Sequence, residues 1–408
     1  MNTLIDFMFL LVGAVIAAGL AYHYVLLIAG RDRRASHPDA AAAPSLRFAL
    51  MSPAHNEQDV IGATVSRLRQ IDYPPDCFDV HVVADHCADN TAAAAAAAGA
   101  FVHIRSDEPR GRKGYAVDWL IKHLLADPRR YDAIVVFDAD SRVDPAFLSA
   151  VQPLLAAGAQ VVQGRHVIAN PGSSRFSALA DADMRLNNRI RNQAKENLGL
   201  SARLMGDAMV FRREVLEQHP WMGAQSLTED RDYGIYLATQ GVRIRYTPAA
   251  VSSGQAVVHW TEATPQRMRW YGGAFDLQRR YLHTLWTLTW RKRNWDAFDK
   301  LLELALPPFS LLAIGSAALL LIHLVLIALA VQPLSRVLWP AGLVLLAVLF
   351  PFLGLMATGA PIKAYQAMLV GPFYVLWRVW IGVWVRLRYR TLSWSRTRHV
   401  EEDRSTSK

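Results

Sequence analysis

Ala133-Ile134-Val135-Val136-Phe137-Asp138-Ala139-Asp140 is the stretch on which the reading of this chain turns. A short apolar run rich in β-branched residues, bounded by a turn, is the pattern of a buried strand. Two carboxylates then flank one small residue. In open α/β sheets ligands bind beyond the carboxyl ends of the strands. Such a pair can share a hard divalent cation, Mg2+ or Mn2+, together with phosphate oxygens. A solvated strand-end turn uses the same residue types, so the stretch gains meaning only from its surroundings.

Working back towards the amino end, the pattern alternates. Residues 48–51 form an apolar strand, followed by the turn Ser52-Pro53-Ala54-His55-Asn56-Glu57 and a helix over about 60–70. Residues 80–83 form the next strand, ending at Asp85. After Thr91 comes an alanine-rich segment of high helix propensity, and then a strand at 102–104. Alternation of this kind predicts an α/β fold, a mixed, mostly parallel sheet with helices on both faces.

Each further mark carries two readings. Asp85 ends a strand, where it either hydrogen-bonds a ligand or caps the helix that follows. Glu57, in the turn after the first strand, is open in the same way. Gly111-Arg112-Lys113-Gly114 either brings an ammonium and backbone N–H groups to phosphate or is a plain turn; its spacing is not that of a nucleotide-triphosphatase loop. Thr228-Glu229-Asp230 opens a helical stretch over 231–240 and supplies either a cap or a general base. Gln266-Arg267-Met268-Arg269-Trp270 places Gln266, Arg269 and Trp270 on one helix face. That face suits a diphosphate and a stacked ring, or an amphipathic surface helix with a buried Trp.

Outside this middle region the chain is apolar. Of its 408 residues 52% are hydrophobic, concentrated before residue 30 and after residue 300. Residues 4–28 are long enough to span a bilayer. The basic cluster Arg31, Arg33 and Arg34 follows that run, which predicts an outside amino end and a cytoplasmic middle domain. Two more spans are expected at 309–331 and 337–356. The segment 367–385 either spans as well or lies in the interface; Arg378 at its middle favours the interface, anchored by Trp377, Trp380 and Trp384. The net charge of +9 gathers beside apolar segments, a pattern of membrane orientation and anionic lipid rather than of nucleic acid. Cys77 and Cys87 make no metal spacing and fit a reducing compartment. The expected organisation is an anchor at 1–30, a linker near 35–45, and a catalytic domain at 45–265. An amphipathic interfacial segment follows at 266–300, then a membrane hairpin at 301–358 and an interfacial or fourth spanning helix with a basic tail at 359–408.

In order, Asp85, Asp138-x-Asp140, Thr228-Glu229-Asp230 and Gln266-x-x-Arg269-Trp270 resemble the marks of membrane-bound family 2 glycosyltransferases. That group includes cellulose, chitin and hyaluronan synthases. The resemblance covers about 47–270 and the flanking spans. It implies a GT-A-like domain binding a UDP-sugar, with Asp85 on the uridine, Asp138 and Asp140 at the diphosphate and metal, and Mg2+ or Mn2+ as cofactor. Asp230 would be the base, with Glu229 beside it. Gln266, Arg269 and Trp270 would line the donor and acceptor channel, with Glu57 and Lys113 on the donor side. Gly206 and Asp207 match an acceptor-facing loop. The activity implied is inverting transfer to a carbohydrate or lipid hydroxyl at the bacterial inner membrane, giving a β-linked poly- or oligosaccharide, with export subunits as candidate partners. The few spans leave long-chain export open, and ceramide glucosyltransferases share the motifs, so single addition to a lipid is the alternative. A non-catalytic membrane subunit is a lesser one.

Overall fold

The structure is a computed structural model describing residues 3–31, 46–222, 224 and 226–388. The 35–45 linker, Arg33, Arg34 and the tail arginines 390, 396 and 398 lie outside the described residues. Among the described residues eight strands make one sheet: β1 Phe48–Ala54, β2 Phe78–Asp85, β3 Phe101–Arg105, β4 Ala133–Val136, β5 Arg142–Val143, β6 Val161–Ile168, β7 Met209–Arg212 and β8 Ile244–Gly254. Their order is β3-β2-β1-β4-β7-β6-β8-β5. The half formed by β3, β2, β1 and β4 is parallel; β7 then runs antiparallel to both β4 and β6. The sheet is therefore mixed with parallel pairs in the majority, as the alternating pattern predicts.

The helices, in chain order, are α1 Thr3–Ala29, α2 Ile61–Leu68, α3 Thr91–Ala97, α4 Lys113–Ala126, α5 Phe147–Ala156, α6 Arg175–Met184, α7 Arg191–Asn197 and α8 Arg213–Gln218. They continue with α9 Glu229–Thr239, α10 Trp260–Lys292, α11 Trp295–Ala305, α12 Phe309–Ala328, α13 Leu338–Ala357, α14 Ile362–Ala367 and α15 Gly371–Arg388. Alternate side chains of the central strands divide between two cores. Phe48, Leu50, Val82 and Val135 meet α2, α3 and α5 on one face. Ala49, Met51, Val83, Ile134 and Val136 meet α4, α8 and α9 on the other. This period of two, apolar at every position, is what a strand buried on both faces requires. It places the loops after β1, β2 and β4 on one edge.

The membrane-like helices form their own cluster. Ile16 and Leu20 of α1 pack with Leu312 and Leu319 of α12 and Leu343 and Ala347 of α13. Among the described residues four helices are long and apolar enough to cross a membrane, the fourth over Ile362–Leu387. Arg378 in that fourth helix is not isolated. Its guanidinium reaches Asp183 Oδ1 at 2.7 Å and the Tyr271 hydroxyl at 3.1 Å. The penalty that argued against a span applies to an unpaired Arg, so tertiary pairing removes that objection. Trp377 packs inward on Phe176 and Trp260, while Trp380 is exposed. Two expected boundaries need correction: 265/266 falls inside α10 and 300/301 inside α11. Both helices are continuous because their apolar faces pack on each other and on α9, through Leu277, Leu285, Leu301 and Ile235.

Candidate active site

Above the edge where β1, β2 and β4 end lies a cavity of about 860 Å³. Its wall includes Glu57, Asp85, Lys113, Asp138, Asp140, Asp207, Asp230, Gln266, Arg269 and Trp270. Residues separated by more than two hundred positions thus face one space. Glu229 and Gly206 belong to the layer behind it: Glu229 is buried, and the Gly206 carbonyl accepts a hydrogen bond from Lys113 Nζ at 2.6 Å.

The parallel pairing explains the donor edge. Asp85 ends β2 opposite Arg105 on β3. Arg105 Nη1 donates to Asp85 Oδ1 at 2.5 Å, and His86 Nδ1 lies 2.8 Å from the same oxygen. Asp85 is thereby held as part of a buried pair and does not cap the next helix, whose first turn is served by Asp89 through Thr91 N. Arg105 was not singled out in the sequence; only strand register brings it to Asp85.

Asp138 follows β4. Its backbone N–H donates to Asp207 Oδ1 at 3.0 Å, and its carboxylate is bound by Lys113 Nζ. Asp207 lies deep in the cavity wall. It is 1% exposed, and its carboxylate also accepts from Ser141 Oγ at 2.7 Å and Ser252 Oγ at 2.6 Å, with His166 Nδ1 at 2.7 Å. Both oxygens accept hydrogen bonds, and through the Asp138 N–H and Ser141 this side chain braces the Asp138-Ala139-Asp140 loop. Burial by itself would raise its carboxyl; the hydrogen bonds and charge of His166, with the two serines, hold it well below the usual range. Gly206, with φ +80°, sets the turn that feeds it, and a Cβ there would sit 3.5 Å from Asp230 Oδ2. No other residue type adopts that backbone without strain.

Glu229 and Asp230 open α9. Thr228 makes no capping side-chain bond, while the Asp230 carboxylate accepts from the Arg231 backbone N–H in the first turn. Burial pushes both carboxyls up; for Glu229 the neighbouring Asp230 adds to it, while Lys113 and Arg269 oppose it. Lys113 and Arg269 act on Asp230 in the same opposing sense, with Arg203. Lys113 is half-buried, which disfavours its charge, yet Asp138, Glu229 and Asp207 outweigh that and raise it. The motif helix α10 is pressed against Thr228: a Cβ on Gly273 would lie 2.5 Å from Thr228 Oγ1. That contact docks Gln266, Arg269 and Trp270 over the cavity. Arg267, between them, stacks on Trp270 at 4.5 Å and pairs with Asp183 at 3.3 Å.

A matching family model, glycosyltransferase like family 2, covers residues 44–273. The chain belongs to that family. A β-monoglucosyldiacylglycerol synthase from Synechocystis is 29% identical over 284 residues, 66% of this chain and 57% of that relative. A cellulose synthase 1 catalytic subunit [UDP-forming] from Komagataeibacter xylinus is 23% identical over 236 residues, 56% of this chain and 31% of that one. The chain therefore spans under two thirds of the length of these curated relatives. Among solved structures, a mannosyltransferase from Pyrobaculum calidifontis in complex with GDP-Man and Mn2+ aligns with TM-score 0.52 at 17% identity. That alignment covers 84% of this chain and 99% of that one. The shared fold is the GT-A-like sheet described above.

Proposed function

We propose that this family 2 chain transfers a hexose from a UDP-sugar to a hydroxyl of a membrane-borne acceptor, with inversion. The observation that carries it is the single cavity in which Asp138 and Asp140, Asp230 and the Gln266–Trp270 face meet. Asp85, with Arg105 behind it, orients the uridine. Lys113 and Arg269 neutralise diphosphate charge. Asp230, raised by burial and cornered by Gly206, takes the acceptor proton. The acceptor oxygen then bonds to the anomeric carbon, and the bond from that carbon to the β-phosphate oxygen breaks with its electron pair leaving on UDP.

Asp138 and Asp140 fit Mg2+ or Mn2+. They are hard oxygen ligands on one wall, and among the described residues no group of three or more His, Cys, Asp or Glu forms a dedicated cage. Sharing such an ion between one or two carboxylates and substrate phosphates is the usual arrangement. When bound, the ion supplies further charge neutralisation on the leaving diphosphate. The Mn2+ and GDP-Man of the Pyrobaculum structure are consistent with it.

The cavity continues past Asp230 to Tyr22 on α1, Phe309 and Leu311 on α12 and Val383 on α15. This favours a lipid acceptor and single addition over a growing glycan, in keeping with the name of the Synechocystis relative. In this reading the helices cross the bacterial inner membrane, the sheet domain is cytoplasmic, and the paired Arg378 permits a fourth span. The test is the full chain in detergent with a panel of UDP-sugars, either metal and total bacterial lipid, the products read by mass. One glycolipid is expected. A ladder of oligosaccharides would replace the acceptor assignment, and no transfer or hydrolysis of any UDP-sugar would overturn the reading.

A further inference from the structure

The wall beyond Asp230 holds charge that sugar transfer does not use. Arg191 opens α7, Arg203 lies in the loop after it, and Arg231 is in the first turn of α9; all three line the cavity. Arg203 and Arg231 pair with Glu303 on α11, at 3.3 Å and 3.8 Å. Glu303 is already taken by Lys195 at 2.6 Å. Asp299 is committed to the same Lys195 at 2.9 Å and to the Tyr22 hydroxyl at 2.9 Å. Cations thus outnumber the carboxylates available to them.

Arg191 is the most buried of the three, and although burial disfavours its charge, Tyr22, Glu303, Asp299 and Asp183 at longer range outweigh burial and raise it. It is 9% exposed, its guanidinium lies 5.7 Å from the Tyr22 ring, and its Nε is buried without a hydrogen-bond partner. No carboxylate pairs with it among the described residues. A cavity-lining guanidinium with no carboxylate in contact keeps its donors open to an anion. Crowding is visible at Arg231, which burial and then Arg203 push down to about 9. The same end of the cavity is lined by apolar side chains of α12 and α15.

We propose that Arg191, Arg203 and Arg231 seat the phosphate of an amphiphile that enters from the bilayer between these helices. An anion supplies the missing counter-charge, and bidentate guanidinium–phosphate pairing suits the three arginines. The tails lie along Phe309, Leu311 and Val383, and the headgroup hydroxyl reaches Asp230. The inference rests on the reading of the acceptor as a lipid and names its class: phosphate-bearing, where a diacylglycerol would leave Arg191 with no anion in contact and Arg203 and Arg231 with only the Glu303 they share with Lys195.

The experiment is thermal unfolding of the full chain in neutral detergent micelles, titrated separately with dioleoyl phosphatidic acid, dioleoylglycerol, inorganic phosphate, and UDP with Mn2+. Phosphatidic acid is expected to raise the midpoint more than dioleoylglycerol does. Arg191→Gln is expected to weaken that response by about tenfold in apparent affinity, and Arg191→Lys to recover part of it. Arg231→Gln, which relieves crowding and so keeps the fold, should show the same loss. A phosphatidic acid response unchanged in either Gln variant, or matched by dioleoylglycerol, overturns the proposal. So does a shift saturated by inorganic phosphate alone, which would mean a free-anion site. The UDP arm separates the two readings: a UDP shift without a lipid shift leaves transfer standing and removes this inference. A lipid shift without a UDP shift does the reverse.

Discussion

The two ends of the cavity solve the problem of buried charge in opposite ways. At the donor end three carboxylates have partners within the protein: Asp85 has Arg105, Asp138 has Lys113, and Asp207 has His166 and two serines. At the membrane end Arg203 and Arg231 share a carboxylate already spent on Lys195, and among the described residues no carboxylate is in contact with Arg191. The first arrangement holds these side chains in place before substrate arrives, which is what positioning of a reactive donor requires. The second is completed by what binds.

The comparison breaks most visibly at Asp230, which stands where the two ends join. Asp230→Asn is expected to lower turnover by about a hundred- to ten-thousandfold, while the UDP-induced shift in unfolding midpoint persists. Loss of UDP binding would move Asp230 to the donor end. Lys113→Met should reduce kcat by about a hundred- to a thousandfold and also weaken UDP, because it removes charge from the diphosphate side. Steady-state kinetics with UDP inhibition separates these two outcomes.

Stability sharpens the contrast. Asp207→Ala leaves His166 and two serines facing an emptied buried site and should cost about 3–5 kcal/mol in denaturant unfolding. Arg191→Gln removes a charge that lacks a partner and is expected to cost far less in the absence of lipid. Equal costs would erase the distinction between a saturated end and an open one.

The pH dependence follows from Asp230. Burial holds its carboxyl above the ordinary 3.8 in the fold, so folding favours the protonated form. That contribution is whole below the unfolded value and is lost as pH rises through the raised folded value. The acid limb of kcat/KM is therefore expected above the ordinary aspartate range, since the base must be ionised to act. Asp230→Asn should also keep more of its stability than the parent as pH rises from 4 to 7 in parallel thermal melts. A smaller effect than at Asp207 is expected at Gly273→Ala, whose Cβ meets Thr228 Oγ1; moving α10 aside should cost about 1–3 kcal/mol.

Much of the fold was legible because the parallel half is built from short β-branched runs separated by helix-forming segments. The strands β5 to β8 went unseen. β5 spans only Arg142 and Val143, and β8 carries Pro248 beside an irregular register with β6, so neither shows a clean period of two. The order of acidic marks was enough to name the family. It did not distinguish the roles of Asp207 and Asp230, since both are acidic residues at turns. Arg105, His166 and Arg191 carried no local signal, because each acquires its meaning from a neighbour on a different element.

By itself the sequence determined the α/β alternation, the apolar helices at either end and the catalogue of carboxylates, all of which depend on the spacing of residues along one segment. Only the tertiary structure decided which carboxylate is spent on bracing a loop, which one is left facing the cavity, and that Arg378 finds Asp183 across the fold. Pairing of buried charges depends on distances of a few ångströms between remote segments, and linear order does not encode those distances one residue at a time.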